Sequence, residues 1–153
     1  MIYAFPPTAT DVVKLLARIG FGVVFTAHGC QKLFTVGMAA TTAGFKQMGL
    51  PLPGVAAWFA ALVEFLGGML LVLGLFTPIA GTLLFLNMLG AYLFVHIGKG
   101  LFVQDGGGEL VIALGLGALL IAAVGAGRYS LDHWLLTRRA REPHHHRGPD
   151  HIP

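Results

Sequence analysis

Four stretches of this sequence are apolar for long enough to cross a lipid bilayer, which limits the fold more than any other feature. A spanning helix needs about 20 consecutive apolar residues. Inside lipid only helices and closed barrels satisfy every backbone donor and acceptor. The candidate spans run from Val12 to Phe34, Gly54 to Phe76, Pro78 to Ile97 and Glu109 to Gly127. Hydrophobic residues make up 56% of the chain and charged residues 11%. A soluble domain carries about 25% charge, so this chain cannot coat a folded surface with polar groups, nor is it polar enough for disorder. The expected fold is all-α, an integral membrane four-helix bundle. The first span has no basic stretch ahead of it and is interrupted by Arg18, which sets it apart from a cleaved signal peptide.

The connections suit a compact bundle. Spans two and three are separated only by Thr77-Pro78, which makes them antiparallel neighbours, and proline is well placed in a first helical turn. Gly98 to Gly108 is a loop by its glycines. Within the long first connection, Met38 to Met48 reads as a short interfacial helix ended by Gly49, with Pro51 and Pro53 holding the chain extended beyond it. Ser130 reads as the N-cap of a further helix from Leu131 to Arg139, whose apolar face is Leu131, Trp134 and Leu135. This short helix after the fourth span is expected to lie in the membrane interface. Residues 1–136 form the membrane domain, and 137–153 read as a basic, His-rich, disordered tail.

Eight of the 17 charged residues lie from Arg128 onward, and they set the orientation. Lys14 and the arginine-rich tail fall on one side of the bundle, Lys32, Lys46 and Lys99 on the other. The bias of basic residues toward the cytoplasm then puts both termini inside. The net charge of +3 is too small and too local for a nucleic-acid surface, and it suits a flank beside anionic lipid. A single cysteine, Cys30, excludes a dithiol pair within one chain. No phosphate-binding glycine loop, dinucleotide fingerprint, nucleophile elbow or paired-histidine metal pattern occurs, so no metal site is expected.

The polar residues inside the spans carry the functional information, because charge there costs roughly 2.5–3.5 kcal/mol and faces the protein interior. In the first span Lys14, Arg18, Phe21, Phe25, His28 and Lys32 recur at intervals of three and four and form one stripe. For Lys14 and Lys32 the alternative is snorkelling to the two interfaces. Glu64 sits mid-span, roughly ten residues or ~15 Å from either end, too deep to reach water. It must be paired or protonated. Arg18 is the natural partner by depth, with His28 approaching from the other side. Ala57, Ala60, Ala61, Gly67 and Gly68 beside Glu64 admit a close backbone or a flat ligand. Asn87 faces inward on the third span, while His96 lies nine residues on and half a turn out of phase. Glu109 suits a helix N-terminus, and Ala118, Ala122 and Ala126 form a packing ridge. The candidate polar site is therefore Arg18, His28, Lys32, Glu64 and Asn87, with His96 and Glu109 secondary.

These residues fall within a recognisable pattern. The chain resembles the DoxX family of small bacterial membrane proteins through Arg18-Ile-Gly-Phe-Gly-Val-Val-Phe25, His28-Gly-Cys-Gln-Lys-Leu-Phe34 and Gly44-Phe-Lys-Gln-Met-Gly-Leu-Pro51. It continues with Glu64-Phe-Leu-Gly-Gly-Met-Leu-Leu-Val-Leu-Gly-Leu-Phe-Thr77, Gly107-Gly-Glu109 and Gly127-Arg-Tyr-Ser-Leu-Asp132. The resemblance spans about Val12 to Leu136. It implies a four-helix bundle in a bacterial inner membrane. It also raises redox work, since some relatives are described as subunits of a thiosulfate:quinone oxidoreductase or of other membrane redox assemblies.

Three functions fit the polar seam. One is a quinone-linked redox subunit, with Phe21, Phe25, Gly67 and Gly68 forming a slot, His28 or Lys32 donating hydrogen bonds and Glu64 exchanging protons. No cofactor site is encoded in the chain, so electrons would come from a protein partner. A second is a non-catalytic membrane anchor or assembly component, and a third is a carrier for a small solute or proton.

Overall fold

The structure, a computed structural model, describes residues 5–139 and is helical, with no strand among them. Helix α1 spans Pro7–Cys30, α2 Met38–Gln47, α3 Pro53–Leu73, α4 Thr77–Ala91, α5 Glu109–Val124 and α6 Leu131–Arg139. The His-rich segment after Arg139 lies outside the described residues. Both α1 and α4 run on without a break into a wider, π-helical turn, Gln31–Thr35 and Tyr92–His96 respectively. The bonds Val36 N–H to Gln31 O and Ile97 N–H to Tyr92 O, each 2.8 Å, close these turns.

Three helices are long and apolar enough to cross a membrane by length and composition: Pro7–Thr35, Pro53–Leu73 and Thr77–His96. The fourth apolar helix, α5, has 16 residues, about 24 Å at 1.5 Å per residue. It stops short of the expected end at Gly127 because Gly125 leaves the helix at φ 76°. The outer faces of all four are apolar, with Leu62, Leu66, Leu83, Leu116 and Leu120 exposed. A water-soluble protein would not leave such a belt uncovered.

Small residues set the helix contacts. Helix α1 packs along α3, α5 along α4, and α3 joins α4. A side chain at Gly68 on α3 would come within 2.5 Å of Thr26 N on α1, and one at Gly81 on α4 within 2.6 Å of Ala118 O on α5. The backbones therefore touch, as in membrane bundles, where packing rather than water exclusion holds helices together. Phe25, Leu71, Ala80, Leu84, Met88, Ala118 and Ile121 fill the centre.

The turns follow the sequence closely, with one shift. Helix α3 ends at Gly74 (φ 66°), where Leu75 N–H bonds Leu70 O and Gly74 N–H bonds Leu71 O. This is a left-handed glycine cap, and it moves the connection to Gly74–Phe76, so that Thr77 already belongs to α4. The short helix α2 forms as expected and ends beside Gly49 at φ 77°. Ser130 caps α6, its Oγ accepting from His133 N–H at 3.2 Å.

Candidate functional site

Glu64 stands near the middle of α3 with its side chain 5% exposed. Lys32 Nζ donates to its Oε2, and Asn87 Nδ2 on α4 donates to its Oε1 at 3.0 Å. Three helices thus meet on one carboxylate. Lys32 reaches it because α1 packs on α3 with Gly29 against the Phe65 backbone, which brings the turn after α1 level with Glu64. The lysine therefore points inward rather than toward the interface. Thr41 on α2 fixes the same turn from outside, its Oγ donating to Lys32 O at 3.3 Å and Gly37 O at 3.0 Å.

Arg18 is not the partner of Glu64. It is fully buried at the other end of the bundle, where Nη1 donates to Leu71 O at 3.3 Å and Nη2 to Tyr129 O. Its Nε has no partner among the described residues. Arg18 thereby ties α1 to the end of α3 and to the segment leading into α6. A side chain at Gly74 would fall 1.7 Å from Nη1, so the cap glycine also makes room for the guanidinium. Aligning the span centres favours Arg18, but α1 and α3 pack offset, with Gly29 against Phe65, so Lys32 lies nearer.

Beside Glu64 is a cavity of about 380 Å³, within the usual range of small-molecule sites. Its polar lining is His28, Lys32, Glu64 and Asn87, and the rest is apolar, with Phe25, Phe45, Phe59 and Phe94 the aromatic members. Four of the five primary candidates therefore share one cavity and Arg18 does not. Among the described residues the His28 ring makes no hydrogen bond, and Lys32 has ammonium protons beyond the one given to Glu64. The arrangement can offer donors from Lys32 and His28 to a polar group, and a carboxylate to take or give a proton, inside largely apolar walls.

The four residues expected to form a slot are not brought together. Phe25 lines the cavity, whereas Phe21 packs over Gly117 and both Gly67 and Gly68 are consumed in helix contacts, the first against Leu84. The secondary candidates lie elsewhere. His96 Nδ1 pairs with Gly106 O at 2.8 Å, and Glu109 Oε1 accepts from Val103 N–H at 2.9 Å. Both brace the loop between α4 and α5. Among the described residues no group of three or more His, Cys, Asp or Glu is placed to hold a metal ion.

Asp132 was not a candidate, yet it organises the opposite end. Its two oxygens accept from Phe76 N–H at 2.8 Å and Thr77 N–H at 3.0 Å, and its own N–H bonds Gly74 O. It caps α4 from α6. Asp11 similarly accepts from Arg128 N–H at 3.1 Å. The signal available in the sequence was an N-terminus on α4 with no capping side chain of its own, Phe76 standing at that position.

The family model described as DoxX matches residues 13–97, more than half of the chain. The chain belongs to the DoxX family. The match covers α1 to the end of α4, and so all four polar residues of the cavity. Among curated DoxX-like relatives, the Bacillus subtilis protein named "Putative oxidoreductase CatD" is 34% identical over 122 residues, 80% of this chain and 86% of that one. An uncharacterized Haemophilus influenzae protein is 37% identical over 121 residues, 76% of this chain and 85% of that one. The inner membrane protein YphA of Escherichia coli is 29% identical over 129 residues, 81% and 91% of the two chains. No solved structure gives a significant match. With its apolar helices and these relatives, this DoxX chain is a membrane protein.

Proposed function

We propose that this DoxX chain is a quinone-binding membrane subunit of a redox system. The observation that supports it is the Lys32–Glu64–Asn87 network at the wall of an apolar cavity, with His28 free beside it. The residues suit the group: aromatic and aliphatic walls for a flat ring, donors for its carbonyls and a carboxylate near them. Bound quinone supplies the capacity to take up two electrons and two protons. Lys32 and His28 would hold and orient the carbonyl oxygens. Glu64, held in place by Lys32 and Asn87, would pass protons to and from the ring. The apolar walls would keep water from the ring. Electron delivery is assigned to a partner subunit. The name of the Bacillus subtilis relative agrees in class with redox work.

The same reading takes α5 as a fourth span completing a four-helix bundle in the bacterial inner membrane. Both termini are cytoplasmic, and α6 lies in the inner interface with Arg138 stacked 3.9 Å over Trp134. Purification with native lipid followed by mass analysis tests the function. Co-purifying quinone, lost in Glu64→Gln, is the expected result. Absence of quinone, with no binding of added quinone to the purified chain, would overturn it.

A second reading, a non-catalytic anchor, draws on the other end. There Arg18, Asp132 and Asp11 hold α6 against the bundle, which would present a rigid surface to a partner. Loss of a co-purifying protein on deletion of residues 131–153, with quinone retained by neither form, would favour it.

A further inference from the structure

Most glycines in the spans are occupied by neighbours. An added Cβ at Gly22, Gly29, Gly68, Gly81 or Gly117 would collide with the facing helix at 2.2–2.7 Å. Gly90 on α4 differs. It lines the cavity, and a Cβ there would meet nothing within 4 Å. Gly90 is one turn beyond Asn87 on α4, on the same stretch as Ala91. Across from them Ala56 and Ala60 line the cavity from α3. Small residues on both helices thus leave a gap that no side chain fills.

The borders of that gap face outward. Phe59 on α3 is 47% exposed, and Leu86 and Phe94 on the α4 side are 49% and 54% exposed, although all three line the cavity. They belong to helices long and apolar enough to span the membrane. The cavity therefore has a polar end at Lys32, Glu64 and Asn87 and an apolar side that reaches the lipid-facing surface. Its volume of about 380 Å³ is at the low end of small-molecule sites, too small for a ring together with a long apolar tail. A long apolar tail attached to such a ring has to leave, and the open space at Gly90, where a Cβ would meet nothing within 4 Å, offers it room.

We propose that the cavity takes a quinone bearing a long apolar tail directly from the bilayer, the ring lodging at Glu64 and the tail passing out between α3 and α4 over Gly90. This rests on the quinone reading above and adds to it a ligand class and a route of entry. Gly90 acts as a positioning residue through its missing side chain.

The test uses the full chain in nanodiscs of phosphatidylethanolamine and phosphatidylglycerol. The probes are a naphthoquinone with a four-unit isoprenoid tail and menadione, the same ring without the tail. Wild type should bind the tailed probe more tightly. Gly90→Leu should weaken the tailed probe by about tenfold and menadione by clearly less. Gly90→Ala, whose methyl group meets nothing within 4 Å, should weaken the tailed probe less than Gly90→Leu does. Unchanged thermal unfolding of both variants shows that the fold is intact. Equal affinity of wild type for the two probes, or a Gly90→Leu effect that is the same for both or absent, overturns the slot and leaves the quinone reading standing. Wild type that binds neither probe overturns both.

Discussion

Lys32 donates to the Glu64 carboxylate from the π-helical turn that continues α1, so a buried acid is paired by a residue for which snorkelling to the interface was the alternative. The lysine side chain is 22% exposed and the glutamate 5%. The pair closes one end of the cavity, and Asn87 occupies the second carboxylate oxygen.

Removing one partner leaves the other charge buried and unpaired, which costs about 3–5 kcal/mol in comparable sites. Lys32→Met should therefore lower the unfolding temperature of the purified protein more than Lys32→Met/Glu64→Gln together. If the double variant is as unstable as the sum of the two singles, the contact carries no coupling.

Asp132→Ala should remove the cap of α4 without touching the cavity. Loss of a capping side chain costs roughly 1–2 kcal/mol, and the Phe76 and Thr77 N–H groups would be left unpaired. Limited proteolysis should then cut sooner near α6, while ligand binding at Glu64 is unaffected. Equal protease resistance in variant and wild type would mean that α6 is held by other contacts.

Much of the architecture was legible because it depends on local rules. Helices, caps at Ser130 and Gly49, and the inward placing of His28, Glu64 and Asn87 follow from hydropathy, spacing and turn chemistry. Asn87 lies inside the cavity and His96 outside it, as expected, although the π-helical turn Tyr92–His96 replaces the regular helix on which the phase estimate rests. The partner of Glu64 was not legible. Depth estimates align the centres of the spans, whereas α1 and α3 pack offset, with Gly29 against the Phe65 backbone and Gly22 against Gly68 and Val72, so Glu64 lies level with the end of α1 rather than with Arg18. The role of Gly67 and Gly68 was half legible, since small residues admit either a helix or a ligand, and only the fold says which. Asp132 was hidden because its partners, Phe76 and Thr77, are backbone groups more than fifty residues away.

The packing glycines make a sharp prediction in the opposite sense to Gly90. A side chain at Gly68 would come within 2.5 Å of the Thr26 backbone and 2.7 Å of Gly22 O, with no flexible atom to yield at either. Gly68→Val should separate α1 from α3 and cost about 1–3 kcal/mol or more. Circular dichroism melts in detergent would show it as a lower and broader transition. A melt matching wild type would mean that the two helices can shift apart freely.

Arg18 supplies the decisive comparison, because depth in the sequence favours it as the partner of Glu64 and the structure gives that place to Lys32. Arg18 bonds Leu71 O, seven residues along α3 from Glu64, or about 10 Å along the helix axis. The two polar centres are thus separated by two helical turns filled by Phe25, Leu84 and Gly67. Arg18→Met should unbind Leu71 O and Tyr129 O and cost on the order of 1–3 kcal/mol. Arg18→Lys should recover little of that, since a single ammonium cannot span the carbonyls that the planar guanidinium reaches together. Combined with Glu64→Gln, the Arg18→Met effect should add to within about 0.5 kcal/mol, as for independent sites. The corresponding cycle through Lys32 should show strong coupling. A large coupling energy between Arg18 and Glu64, measured by unfolding in the same detergent, would restore the pairing that depth alone suggested and remove Lys32 from the site.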